Sequence, residues 1–338
     1  MASLQEISQR ANVSVATASR VLNGSSHPVS SQTRAKVLSA AEALGYTPSV
    51  LAQLVRKGQR SRIIGVIVGD VSDPYFGAVA RGVEEAVADD GYLTMIASGR
   101  RTTAAELDHL RSLRDHQAAG VIFASSGYEN DPLTEQAQEL VDSLMASGSI
   151  VLALAPRDIS CSGRIAFDDR GAAFDATRYL IGLGHKEIAF VGGPGGFHTS
   201  THRRDGFEAA VRSAGLTPNK RLTGGFEYEA GYRAAQHIAL SPERPEAILA
   251  VNDDVAIGLV VGFRDTGLRV PADISVCGIH DTRPASYVGL TTVAAPLSEM
   301  GHAAGLAILN GETSGTTVLP HHLVERTTTA PSSARAAR

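Results

Sequence analysis

The chain has 338 residues, of which 43% are hydrophobic and 20% charged, and its formal net charge at pH 7 is −4. This length and apolar content suit two or three domains with full cores and exclude a chain that is disordered throughout. No run of eighteen apolar residues occurs, and Met1-Ala2-Ser3-Leu4 does not open a basic-then-apolar leader, so the sequence predicts a cytoplasmic protein without a membrane partner.

Ser3 to Asn23 read SLQEISQRANVSVATASRVLN. Ser3 and Glu6 form an S-x-x-E capping box that starts a first helix. Asn12-Val13-Ser14 makes a three-residue turn, and Ser14 is placed to cap a second helix. On that helix Ala18, Val21 and Leu22 share one side at i, i+3 and i+4, which makes a core face, and Ala16, Arg20 and Asn23 lie on the other. This is the layout of a helix-turn-helix. A free face with a small residue, an arginine and an amide suits a DNA major groove.

Ser30 caps a third helix from Ser31 to Leu44, with Val37, Leu38, Ala41 and Leu44 as its apolar stripe and Gly45 as its stop. Tyr46-Thr47-Pro48 then breaks the helix and opens a linker. Ser49 to Arg56 can form one or two helical turns only when a partner or DNA supports them, because an isolated helix that short is unstable in water. Charge marks the same module. Residues 1–62 hold Arg10, Arg20, Arg34, Lys36, Arg56, Lys57, Arg60 and Arg62 against Glu6 and Glu42, a balance of +6 that leaves −10 for the rest of the −4 total. A basic head on an acidic body is the electrostatic footprint of a DNA-binding module on a soluble sensor.

From Ile63 the pattern changes. Short apolar runs (Ile63–Val68, Leu93–Ile96, Gly120–Ala124, Ile150–Leu154, Ile188–Val191, Ala247–Val251, Ile274–Cys277) alternate with amphipathic helical stretches such as Gly77–Asp90, Ala104–Gln117, Gly171–Leu183, Arg203–Ala214 and Asp253–Thr266. That alternation predicts buried parallel sheets with helices on both faces, and the length calls for two stacked α/β subdomains. Ligands of such folds bind beyond the carboxyl ends of the strands. The small, polar residues 327–338 are expected to be a disordered tail.

VSVATASRVLN, VSSQTR and AEALGYTP in the head, and IIGVIVGDVSDPYF, FDDRGAA, LGHKEIAFVGGP, AILAVNDDVAIG, GLRVPADISVCGI and LTTV in the body, resemble the lactose-repressor (LacI/GalR) family of bacterial transcription regulators. The resemblance spans nearly the whole chain. It implies an all-α helix-turn-helix headpiece, then an α/β periplasmic-binding-protein-like core of two doubly wound parallel-sheet subdomains. The implied boundaries are a headpiece at 1–47, a linker with a hinge helix at 48–62 and a core at 63–326. Within the core, the N-terminal subdomain is placed at about 63–157 plus 295–312 and the C-terminal one at about 158–294 plus 313–326. The resemblance further implies a homodimer, or a tetramer as in some members. Double-stranded, pseudo-palindromic operator DNA is the implied partner of the head, and a small sugar-like or anionic effector that of the core.

Carried over position by position, the resemblance puts Val15 and Ala16 at the start of the recognition helix, where only apolar contact such as to a thymine methyl is open to them. Arg20 is placed to reach guanine O6 and N7. Ser14 belongs to the same DNA-facing set as the cap of that helix. Thr17, Ser19, Asn23, His27 and Thr33 match positions that touch phosphates and so set register. In the linker, Val55 falls where a leucine usually wedges into the central operator step, with Leu54 beside it; either side chain could serve as the wedge that unstacks bases and bends the duplex.

For the effector, Asp70, Tyr75, Phe76, Phe226, Arg203 and Asn252 match ligand-lining positions, and Asp253 is expected to cap the helix after Asn252. Three positions depart from the sugar-binding pattern. Ala155 and His280 stand where aspartates are usual, and Ala295 where glutamine is common. Losing two carboxylates while keeping Arg203 predicts a pocket shifted toward positive charge and an effector that is less sugar-like, anionic or partly apolar. The alternative is that His280 itself binds a sugar hydroxyl.

Competing readings are weaker. Val191-Gly192-Gly193-Pro194-Gly195-Gly196 lacks both the G-K-[ST] ending of a P-loop and the G-x-G-x-x-G fingerprint. His185 and His202 have no obvious nucleophile, and Gly184-His185 reads as a helix end with a cation at its dipole. Cys161 and Cys277 are too few for a disulfide framework or zinc cluster. The sequence therefore predicts no enzyme, metal or cofactor. A solute-binding protein would share the core but not the head.

Overall fold

The computed structural model describes residues 3–22, 27–46, 60–218, 220–313 and 315–332. Contacts divide the chain into two units, Met1–Ser61 and Arg62–Arg338.

The first unit contains α1 (Leu4–Ala11), α2 (Val15–Leu22) and α3 (Ser31–Ala43). The capping box forms as expected: Glu6 N donates to Ser3 Oγ at 3.2 Å and Ser3 N donates to Glu6 Oε2 at 2.7 Å. Asn12 ends α1 with φ 53, a left-handed conformation that asparagine tolerates. Thr17 N then donates to Ser14 Oγ at 3.1 Å, so Ser14 caps α2. Ile7, Ala11, Ala18, Val21, Val37, Ala40 and Ala41 form the core. Burying a side chain such as Ile7 stabilises by roughly 1.5–3 kcal/mol. One expectation fails: Leu38 is 50% exposed, and Ala40 is buried in its place. The inward positions 37, 40, 41 and 44 follow the i, i+3, i+4, i+7 spacing, and position 38 lies off that stripe. Asn23, Leu54, Val55 and the expected hinge helix lie outside the described residues.

The second unit holds two six-stranded sheets. The first has the order β11-β5-β4-β3-β1-β2 and the second β12-β10-β9-β8-β6-β7. The strands are β1 (Ser61–Val68), β2 (Leu93–Ser98), β3 (Ala118–Phe123), β4 (Ile150–Ala153), β5 (Gly163–Phe167), β6 (Ile188–Gly192), β7 (Lys220–Thr223), β8 (Ala247–Ala250), β9 (Ser275–His280), β10 (Thr291–Ala294), β11 (Thr316–Leu319) and β12 (His322–Val324). Between them run α4 (Pro74–Val87), α5 (Thr103–Asp115), α6 (Thr134–Ala146), α7 (Asp169–Gly182), α8 (His198–Ser213), α9 (Tyr228–Leu240), α10 (Asp253–Asp265), α11 (Arg283–Tyr287) and α12 (Leu297–Asn310). The fully buried strands read as near-continuous aliphatic runs because helices cover both faces. Helices α4 and α12 touch through glycines: a Cβ on Gly82 would strike the Ser298 carbonyl, and one on Gly301 the Val79 carbonyl.

Several expected boundaries are corrected. β5 pairs in parallel with β4, and β11 with β5, so residues 163–167 and 316–319 belong to the first sheet rather than the second. The chain crosses between subdomains after β5, where the polar Asp168-Asp169 pair starts α7. The second sheet is mixed, since β12 runs antiparallel to β10; a short return strand can pair with its neighbour without a crossover helix. The expected disordered tail is built into the second sheet as far as Ser332. Val276 N donates to Thr328 O at 2.8 Å, Thr291 N to Thr328 Oγ1 at 2.9 Å, and Ser332 N to Leu183 O at 2.9 Å. Its polar side chains satisfy buried backbone groups, which composition alone does not reveal. His185 is buried and pairs its Nε2 with Ala330 O at 2.9 Å. Burial lowers its pKa, so it is not the helix-end cation expected.

Candidate functional site

In the headpiece, α2 turns Ala18 and Val21 inward and leaves Val15, Ala16 and Arg20 exposed. Val15 is 46% exposed. Ser14 Oγ and Thr17 Oγ1 lie 2.8 Å apart at the start of α2, and Ser30 Oγ and Thr33 Oγ1 lie 2.8 Å apart at the start of α3. Both helix N-termini thus carry hydroxyls beside first-turn backbone amides, an arrangement that favours phosphate. Ser19 and Thr33 are half-buried, and His27 is exposed.

In the second unit the strand ends converge on one cleft, lined from the first sheet by Asp73, Tyr75, Phe76, Arg101, Ser125, Ser126, Ala155 and Phe167 and from the second by Phe197, Arg203, Phe226, Asn252 and His280, with Asp169 between. In both sheets the strand order reverses beside β1 or β6, which opens a crevice at the carboxyl ends. About 440 Å³ there is free of atoms. Hydrogen bonds draw the lobes together around it. Glu129 N donates to Gly196 O at 2.7 Å, His198 N to Gly127 O at 3.1 Å, and Thr199 N to Ser126 Oγ at 3.2 Å, all from one lobe to the other.

Arg203 is the hub. It is 2% exposed. Its Nε donates to Asp169 Oδ1 at 2.8 Å, its Nη1 to Val251 O at 2.5 Å and its Nη2 to His280 Nε2 at 2.8 Å. Arginine can only donate, so His280 Nε2 accepts and the imidazole proton sits on Nδ1. Burial, with the charges of Arg203 and Arg101, holds the His280 pKa well below 6.5, so the ring is neutral. His280 ends β9 with φ 127, a costly conformation outside glycine, and its ring lies 4.6 Å from that of Tyr75.

Tyr75, Phe76, Phe226, Arg203, Asn252 and His280 thus gather in one cleft. Asp70 does not: its Oδ1 accepts from Ser72 N at 2.9 Å and Ser72 Oγ at 2.7 Å, folding the loop back on itself outside the lining. Asp73, three residues on, takes the place expected of it. Asp73 Oδ1 caps α4 by accepting from Tyr75 N at 3.0 Å, and its Oδ2 accepts from Arg101 Nη2 at 3.1 Å. Asn252, rather than Asp253, caps α10, accepting from Val255 N at 3.0 Å and donating to Phe226 O at 2.8 Å. Asp253 is instead buried, accepting from Thr282 N at 2.6 Å and Thr292 Oγ1 at 2.6 Å.

The predicted positive shift of the pocket is also corrected. Asp73 and Asp169 face Arg101 and Arg203, and His280 is neutral, so the charges lining the cleft balance. Asp169 stands in the FDDRGAA motif but reads there as a helix-start residue. Arg101 was missed because the apolar run of β2 stops at Ile96 while the strand continues to Ser98. Carrying each strand to its end would have brought both into view.

Comparison with known proteins agrees with this architecture. Residues 3–49 match the model for bacterial regulatory proteins of the lacI family, and residues 177–329 that of a periplasmic binding protein-like domain. Catabolite control protein A of Priestia megaterium is 31% identical over 336 residues, covering 96% of this chain and 98% of that protein. The transcriptional repressor CytR of Escherichia coli K12 is 31% identical over 313 residues, covering 91% and 89%. Among solved structures, a lac repressor dimer bound to operator and the anti-inducer ONPF superposes with a TM-score of 0.72 at 26% identity, covering 97% of this chain and 99% of that one. A lacI-family regulator from Enterococcus faecium with bound ribose superposes with a TM-score of 0.70 at 25% identity, covering 80% and 99%. These relatives are transcriptional regulators rather than enzymes, and three of the four match more than nine-tenths of this chain. The chain belongs to the lacI family of bacterial regulatory proteins, with a DNA-binding headpiece and an effector-binding core.

Proposed function

We propose that this protein is a cytoplasmic repressor that binds a pseudo-palindromic operator as a dimer and is switched by a small neutral ring compound held between the core lobes. The observation that carries the reading is the pairing, in one chain, of a recognition helix exposing Val15, Ala16 and Arg20 with a two-sheet cleft whose charges are balanced. Arg20 reads a guanine, and Ser14, Thr17, Ser19, His27 and Thr33 meet phosphates. Asn23 and a wedge at Val55 or Leu54 complete the contact.

Dimerisation is supported by β2, an edge strand on which Leu93, Met95 and Ile96 are all exposed. A bare apolar edge of this kind is normally covered. Two heads joined through one body gain effective concentration and half-site spacing. The effector reading rests on five aromatic rings (Tyr75, Phe76, Phe167, Phe197, Phe226) and on two aspartates that can accept hydroxyls once the lobes part. An effector switches the protein only if it binds the two lobe arrangements with different affinity.

Selection of duplex DNA from a random pool with the full chain, and in parallel with residues 62–338, tests the reading. A palindromic consensus retained by the full chain alone is expected. A dimer making six to ten phosphate contacts loses ~10³–10⁵ in affinity between 50 and 200 mM salt. No enrichment, or equal enrichment by the core alone, overturns it. A thermal-shift screen of neutral sugars and nucleosides, followed by operator release, identifies the effector.

A further inference from the structure

Arg101 follows the end of β2 at Ser98 and lines the cleft. Its guanidinium carbon sits 4.7 Å from the ring centre of Phe226 and 5.7 Å from that of Phe76. Phe76 and Asp73 belong to the first lobe, whereas Phe226 belongs to the second. The ion pair with Asp73 holds the guanidinium from one side, so the contact with Phe226 spans the cleft. A guanidinium is flat and weakly hydrated, and it packs on aromatic faces much as a small ring does.

The backbone supports this placement. Thr102 N donates to Gly99 O at 2.9 Å, closing a turn whose central residues Arg100 and Arg101 have φ 48 and 53. Two consecutive left-handed residues define a type I′ turn, which ordinarily takes asparagine or glycine. Arginine at both positions is locally unfavourable, so the contacts of the side chain must hold the turn. Gly69 leaves room for it: a Cβ there would come within 3.2 Å of Arg101 Cγ.

We propose that Arg101 is a resident occupant of the effector cleft, filling the aromatic face of Phe226 and latching the lobes together when no effector is bound. The proposal rests on the effector-cleft reading above and adds its regulation. An effector must displace the guanidinium from Phe226 before it can stack there. Arg101 therefore sets a threshold on affinity and a requirement on chemistry: a ring with a flat or apolar face, carrying on its edge an acceptor that the displaced guanidinium can engage. Ligands that offer the face without the acceptor compete with Arg101 at a disadvantage.

The test replaces the side chain by a free equivalent. Arg101→Ala opens a guanidinium-sized site over Phe226, and methylguanidinium at low millimolar concentration is expected to raise the melting temperature of this variant saturably while leaving the wild type unchanged. Adding Phe226→Leu to the variant is expected to abolish the response. Amide exchange of Glu129 and His198, whose N–H groups bond across the lobes, is expected to rise roughly two- to thirty-fold in Arg101→Ala, the range that a cation–π contact spans, and to fall again with methylguanidinium. If the alanine variant does not fold, Arg101→Gln serves for the exchange measurement. Equal responses of wild type and variant, or unchanged exchange, overturn the proposal. Both readouts use the free chain without DNA or effector, so their outcome is separable from failure of operator selection.

Discussion

Arg203 donates Nη2 to the Nε2 of His280 at 2.8 Å, and that bond sets the protonation state at the centre of the cleft. A protonated imidazole has no acceptor to offer, so the contact exists only with neutral His280. Its pKa lies well below 6.5 in the folded chain. Below pH 6.5 the unfolded chain therefore binds a proton that the folded chain refuses, and stability is lost as pH falls. The loss from this group approaches about 1.4 kcal/mol per pH unit below that point. Urea unfolding at pH 7.5 and 5.5 checks it. His280→Asn, which keeps an acceptor, is expected to flatten the difference by about 1 kcal/mol.

Asp169 is the carboxylate that permits Arg203 to be buried. Removing one partner of a buried pair leaves the other charge unpaired in low dielectric, at a cost of about 3–5 kcal/mol. Asp169→Ala is expected to lower the unfolding free energy of the core by that order while leaving headpiece helicity intact. A loss below about 1 kcal/mol, within the range of exposed ion pairs, would show that Arg203 is solvated.

Asp254, second residue of α10, has its pKa raised from 3.8 to about 7 by burial first and then by the charges of Asp73 and Asp253. For a carboxyl raised in the folded state, the unfolded chain ionises first, so stability is lost as pH rises from 3.8 through about 7. Asp254→Asn is expected to raise the melting temperature at pH 8 by a few degrees and to have little effect at pH 4. Because Asp73 sits in the opposite lobe, opening the cleft lowers this pKa, and the protein should release protons on opening. Calorimetry in buffers of different ionisation enthalpy measures that release.

Arg20→Ala is expected to cost about 1–3 kcal/mol of operator affinity and to relax selectivity at one base pair in each half-site. Ser14→Ala removes the α2 cap and is expected to cost about 1 kcal/mol of headpiece stability, weakening every operator variant alike. Fluorescence anisotropy on a panel of single-substitution operators separates the two patterns.

Met95→Glu combined with Ile96→Lys places charge on the exposed β2 edge. The double variant is expected to sediment as a monomer and to bind operator at least tenfold more weakly, with the core still folded. A dimer that persists would move the subunit contact to another face.

Much of this was legible from the chain itself. The capping box at Ser3 and Glu6, the cap at Ser14 and the seven strands with apolar runs appear where local chemistry puts them, because capping and periodicity act over a few residues. The elements read least well were β5, β7, β10, β11 and β12. These are short or partly polar, and they become strands by pairing with neighbours, near ones such as β4 for β5 and far ones such as β5 for β11, about 150 residues away. Buried Thr328, Thr329 and Ser332 escaped for the same reason: threonine and serine look solvated in a sequence and become structural when they satisfy buried backbone groups.

The sequence by itself determined the two-part architecture, the helix-turn-helix and most of the aromatic wall of the cleft, since each is written in contiguous motifs and in helix or strand periods. Only the tertiary structure decided the electrostatics. It brings Asp169 to Arg203 across 34 residues and His280 to Arg203 across 77. It sets Arg101 of one lobe against Phe226 of the other. Charge balance, protonation and closure depend on distances of a few ångströms between groups remote along the chain, and no local pattern of residues carries that information.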